Sequence, residues 1–98
     1  MVNENWKISQ NYKDTCIELL SENLASFRAK AGITQAELAN LIGISSQTYN
    51  AIESGQRVMS WNTYLSLPLF FDTNNATRSM LRSLNVYPKE LMITMCGV

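Results

Sequence analysis

Apolar residues recur along this chain at steps of three and four, and a helix is the local structure that gathers such steps on one side. Cys16, Ile17, Leu20, Leu24, Phe27 and Ala31 keep that step up to Gly32, which predicts one long amphipathic helix. Thr15, followed three residues later by Glu18, reads as the capping box that starts it. Thr34 and Glu37 form a second capping box, ahead of Ala36, Leu38, Ala39, Leu41 and Ile42, and Gly43 supplies the left-handed residue at the stop. Ile44 then leads to Ser45, an N-cap for a helix over 46–53 with Tyr49 and Ile52 turned inward and Ser54-Gly55 as its end. Two short helices joined by a tight turn follow. The small Ala39 and Gly43 and the apolar plug Ile44 suit a steep crossing between them.

Residues 56–59 read as a loop. Ser60 then caps a helix whose apolar positions are Trp61, Tyr64, Leu65, Leu67 and Phe70 or Phe71. Pro68 lacks an N–H and its ring meets the preceding turn, so the pattern predicts a kink or an end near Ser66. Asp72, Thr73, Asn74 and Asn75 form a turn and cap cluster before a helix over 76–84, with Met80, Leu81 and Leu84 inward and Asn85 at its stop. Pro88 suits a first helical position, and the apolar tail from Leu91 to Cys96 reads equally as a final helical turn or a strand paired with its copy in a dimer. Residues 1–14 read as a polar arm that Trp6, Ile8 and Tyr12 can tack onto the body or onto a partner. The expectation is an all-α chain of five helices and a short sixth element. It forms one domain over 1–98, with the arm at 1–14, the core at 15–71 and a C-terminal extension at 72–98 that is a candidate dimerisation element.

Four motifs stand in order: F-R-x-x-x-G from Phe27, T-Q-x-E-L-A from Thr34, I-G-(I/V)-S from Ile42 and I-E-x-G from Ile52. Together, over 23–71, they resemble the Cro/repressor-type (XRE-like) helix-turn-helix DNA-binding domains; a plain helical hairpin is the bland alternative. The resemblance implies a lambda-repressor-like, compact five-helix bundle and a transcriptional regulator of the repressor type that binds a palindromic duplex operator as a homodimer. It also implies that Arg28 on the first helix pairs with Glu53 at the end of the third; an exposed Arg28 is the alternative.

Geometry alone selects a candidate face. With Tyr49 and Ile52 inward, the opposite side of their helix carries Ser46, Gln47 and Asn50, with Ala51 at the border. Gln and Asn can each pair with the N6/N7 edge of adenine, and an alanine methyl can meet the thymine methyl. The resemblance assigns base reading to the same four positions and phosphate contacts to Gln35, Ser54 and Arg57. Solvated helix surface is the alternative for Gln47 and Asn50, and Ser46 is smaller than the residue many relatives carry.

Charge pulls the other way. Eight Lys and Arg balance eight Asp and Glu, whereas duplex binding is driven largely by cations that displace counterions. Glu4, Asp14, Glu18 and Glu22 crowd the N-terminal quarter, and over 23–66 Arg28, Lys30 and Arg57 stand against Glu37 and Glu53, so strong nonspecific affinity is not expected. A competing reading is therefore a protein-interaction module, an antitoxin-like or anti-repressor partner, with weak or no DNA binding. The chain has no histidine and no glycine-rich phosphate loop, and its carboxylates are scattered, which argues against an enzyme, a metal site or a cofactor. Cys16 and Cys96 read as buried or idle thiols. With no apolar run of about 18 residues and no signal-peptide pattern at the start, a cytoplasmic protein away from membranes is expected. Leu91, Met92, Ile93 and Met95 serve either as the dimer contact or as core folded back on Trp61 or Phe70.

Overall fold

The computed structural model describes residues 7–83, which form five α-helices: α1 (Gln10–Ala31), α2 (Gln35–Ile42), α3 (Ser46–Glu53), α4 (Trp61–Thr73) and α5 (Arg78–Ser83). Among the described residues the fold is all-helical, as the hydrophobic spacing predicts, and no helix is long and apolar enough to cross a membrane. Trp6 and the expectations placed on Leu84, Asn85, Pro88 and 91–96 lie outside the described residues.

α1 is the floor. Its Ile17, Leu20, Leu24 and Phe27 are buried at steps of three and four, and they pack under α3 and α4. It starts earlier than the sequence suggests. Ser9 is the N-cap, accepting from the Tyr12 N–H at 3.1 Å, so residues 10–14 of the expected arm are helix. Thr15 is interior, and its hydroxyl donates to the Asn11 carbonyl one turn back, a bond that competes with its use as a cap.

α2 and α3 pack on one another, and α4 closes the core against α1, α2 and α5. Leu38, Ala39, Tyr49, Ile52, Tyr64, Leu67, Phe71 and Leu81 are all buried in one cluster. Met59, from the loop between α3 and α4, joins them; it has no periodic neighbour in sequence that marks it as core. Leu41, by contrast, falls at helical spacing on α2 yet is 60% exposed.

The end expected near Ser66 does not occur. α4 runs on to Thr73, and Pro68 itself is buried. A proline inside a helix costs about 3 kcal/mol. Stopping at Ser66 would forfeit Phe71, which is fully buried and stacked on Phe27 at 4.7 Å between centroids. Burying one such side chain is worth about 1.5–3 kcal/mol, and the ring pair adds about 0.5–1.5 kcal/mol. Leu67 and the half-buried Phe70 tip the balance toward continuation.

Asp72 and Thr73 therefore belong to the last turn of α4 rather than to the turn that follows. That turn is 74–77, where the Asn74 Oδ1 accepts from the Ala76 N–H at 2.9 Å. α5 begins at Arg78 instead of Ala76, because Thr77 is buried with its hydroxyl donating to the Phe71 carbonyl at 2.8 Å.

Candidate nucleic-acid interface

The interface is assembled by two short joints. At the first, Gly32 is left-handed (φ 71°); its N–H meets the Ala29 carbonyl while the Ile33 N–H reaches the Arg28 carbonyl. At the second, Gly43 is left-handed (φ 80°), and the Gly43 and Ile44 N–H groups reach the Asn40 and Ala39 carbonyls in the same pattern. Each joint ends in a hydroxyl cap. The Thr34 Oγ1 accepts from the Glu37 N–H at 3.1 Å, and the Glu37 carboxylate accepts from the Thr34 N–H at 3.0 Å. The Ser45 Oγ accepts from the Thr48 N–H at 3.1 Å and donates to the Thr48 hydroxyl at 2.9 Å.

These caps fix the rotation of α3. Tyr49 and Ile52 are buried, which leaves Ser46, Gln47 and Asn50 exposed together on the outer face, with Ala51 half-buried at its edge. At the far end the Ala51 carbonyl is heavily used. It accepts from the backbone N–H groups of Gln56 and Arg57 at 2.9 and 3.1 Å and from the Ser54 hydroxyl at 3.1 Å. The chain is thereby folded back, and the Arg57 side chain is presented to solvent beside the end of α3. Ser54 is exposed next to it.

Behind this face, Arg28 binds Glu53 through both carboxylate oxygens, at 3.1 and 3.0 Å, and gives its remaining terminal nitrogen to the Ile33 carbonyl at 3.1 Å. One guanidinium thus ties α1, the first joint and the end of α3. The Glu53 side chain is 9% exposed and that of Arg28 24%. Partial burial works against the charge on Glu53, but hydrogen bonding from Arg28, the adjacent Tyr49 hydroxyl, the Arg28 charge and the Gln35 amide outweigh it, and the carboxyl sits below its ordinary range. The hydrogen bond to Glu53 in turn raises the pKa of Arg28 against its own burial. Burial, and then the Glu53 carboxylate, push the Tyr49 phenol well above its ordinary range. Its buried oxygen makes no hydrogen bond of good geometry among the described residues.

Sequence reasoning missed two features of this cluster. The Ile33 carbonyl as a third partner of Arg28 leaves no mark in the side-chain pattern. Gln35, half-buried at the first turn of α2, turns its amide toward Glu53.

Residues 19–81 match the model of a helix-turn-helix domain family. The chain belongs to that family. The match covers well over half of the chain and takes in α2, α3 and the Gly43-Ile44-Ser45 turn between them, and it places the protein among DNA-binding helix-turn-helix domains. No curated protein and no solved structure matches the chain.

With Glu53 and Arg28 paired, the charged side chains left on the helix-turn-helix outside that pair are Glu37, at the start of α2, and Arg57, after α3. The Glu37 carboxyl is held below its ordinary range, first by the Thr34 backbone N–H and then by the Thr34 hydroxyl. The face is therefore polar and nearly neutral, built of amides and hydroxyls.

Proposed function

We propose that this protein is a sequence-specific transcriptional regulator of the Cro/repressor type, acting in the cytoplasm as a homodimer on a palindromic operator. The observation that carries the reading is the outer face of α3, where Ser46, Gln47 and Asn50 stand exposed together on the side opposite buried Tyr49 and Ile52. In this reading Gln47 and Asn50 read base edges in the major groove, and Ser46 and the Ala51 methyl fill in beside them. Gln35, Ser54 and Arg57 bind phosphates on either side and set the register. In the repressor reading, occupying the operator excludes other proteins from it. One eight-residue helix spans too few base pairs to select a site, so two copies place their α3 helices in successive major grooves about 34–36 Å apart. The dimer contact falls to the C-terminal segment with Leu91, Met92, Ile93 and Met95.

The near-neutral face favours a second reading, a helix-turn-helix used as a protein-interaction module, because Arg57 is balanced by Glu37. Selection of bound sites from random duplexes separates the two. Recovery of a palindrome with half-sites one helical turn apart is the expected result. A pool with no enriched sequence would remove the regulator reading and leave the interaction module.

A further inference from the structure

A groove of about 480 Å³ runs between the first half of α1 and the loop that follows α3, away from the outer face of α3. Its floor is aliphatic: the edges of two core residues, Ile17 of α1 and Ile52 of α3, form part of the lining. Val58 stands at its edge and is 78% exposed, more than Leu41 or Leu69. One wall is a row of carboxylates. Asp14, Glu18 and Glu22 follow at four-residue steps along α1, so they lie one above another over about 12 Å. All three are exposed, and none has a cationic partner among the described residues, where the ion pairs are Arg28–Glu53 and Arg82–Asp72. Like charges four apart on a helix repel, and Glu18 and Glu22 lie beyond the first turn, where a helix dipole would favour them. The row therefore works against the isolated fold and calls for cations from outside. Arg57 also lines the groove and is a single opposing charge.

We propose that this groove docks a basic amphipathic helix of another protein, its aliphatic side chains on Ile17, Ile52 and Val58 and its lysines or arginines against Asp14, Glu18 and Glu22. Charge complementarity selects the occupant. Three carboxylates in a row exclude nucleic acid from this face, and they match a helix that repeats a cation every fourth residue. Val58 adds a requirement that charge alone does not make, since polycations without an apolar side leave it uncovered. The groove lies on the side of α3 opposite Ser46, Gln47 and Asn50, and it shares only Arg57 with the proposed duplex contacts, so a docked helix and a duplex would compete for that one side chain.

The test uses the full chain and a labelled synthetic helix with lysines at every fourth position and leucines on the adjoining face, followed by fluorescence anisotropy. Saturable binding with one peptide per chain is expected. Val58→Asp should weaken it by about tenfold or more, the value of one aliphatic side chain's burial. Glu18→Lys combined with Glu22→Lys should abolish it, while Glu37→Gln, which removes a carboxylate elsewhere, should leave it unchanged. Val58→Asp adds a negative charge, so unchanged or tighter binding by that variant would reduce the interaction to general electrostatics and overturn the proposal. Equal affinity for a peptide with serines in place of the leucines would do the same. Sedimentation of the parent and of Val58→Asp without peptide covers the remaining occupant. A dimer that Val58→Asp converts to monomer would assign the groove to a second copy and overturn the docking of another protein.

Discussion

The chain passes from α1 to α2 through Gly32, Ile33 and Thr34, and from α2 to α3 through Gly43, Ile44 and Ser45, with the same backbone course in both joints. A left-handed glycine stops each helix, two crossed-over backbone hydrogen bonds close the turn, and a hydroxyl caps the next helix. The joints differ three residues past the cap. There α2 carries Glu37, whose carboxylate takes the Thr34 N–H, and α3 carries Thr48, which is neutral. The positive end of the α2 dipole is thus filled by the protein's own charge, while that of α3 remains electrically open. The first joint is held more firmly as well, because Arg28 binds its Ile33 carbonyl from behind. In the proposed complex α2 serves as the fixed support and α3 as the helix that meets the duplex.

The largest effect should come from breaking the tie between the first joint and the end of α3. Glu53→Ala leaves the partly buried Arg28 with only the Ile33 carbonyl and should destabilise the fold by about 2–3 kcal/mol in a urea melt. Arg28→Met together with Glu53→Leu should recover most of that loss. A change within about 0.5 kcal/mol for Glu53→Ala would place the strength of the joint elsewhere. The same pair sets a pH dependence. The folded pKa of Glu53 lies below the unfolded value, so its contribution is complete above the ordinary glutamate range and is lost as pH falls through the folded value. Glu53→Gln should flatten that part of the acid limb.

The next effect separates reading from positioning on the α3 side. Gln47→Ala should lose about 1–3 kcal/mol at one base pair in each half-site and relax preference there. Arg57→Ala should weaken every duplex alike and reduce the salt slope by about one unit per protomer. Competition binding against single-base variants at two salt concentrations distinguishes them, and uniform losses for both would show that Gln47 reads no base.

How much of this was open to the sequence depends on whether the deciding interaction is local. The α2-turn-α3 unit was legible because each signal, Thr34 with Glu37, Gly43, and Ser45, acts within four residues of itself. The exposure of Ser46, Gln47 and Asn50 followed from the period of one helix. Where a local signal met a distant one, the distant one won. Thr15 looked like a cap, but Ser9 starts the helix and Thr15 bonds back to Asn11. Pro68 looked like a kink or a stop, and the stop does not occur because the stacking of Phe71 on Phe27, distant in sequence on α1, carries α4 past it. Met59 and the Ile33 carbonyl had no signal at all, since one is a lone apolar residue in a loop and the other a backbone atom. The likeness of the two joints, Gly-Ile-Thr and Gly-Ile-Ser, emerges only once both turns are seen to close in the same way, and with it the contrast of Glu37 with Thr48.

That contrast can be tested by exchanging the two residues. Thr48→Glu would complete a capping box on Ser45 and should hold or raise the melting temperature, because a glutamate at this position reaches back to the cap N–H. It would also put a carboxylate at the start of α3, where it faces the phosphates of the proposed complex, so affinity should fall for every duplex. Glu37→Gln is the converse and the smallest change. Glutamine fits the same capping box, so at neutral pH the melting temperature should fall only slightly, by the charge–dipole attraction that the α2 end loses with the carboxylate. Affinity should then rise a few-fold for all sequences with base preference unchanged, as measured by titration of the selected operator and of a scrambled duplex. A rise confined to the operator would mean that Glu37 acts on specificity. No rise at all would mean that phosphates do not approach the start of α2, and Gln35 would lose its proposed contact.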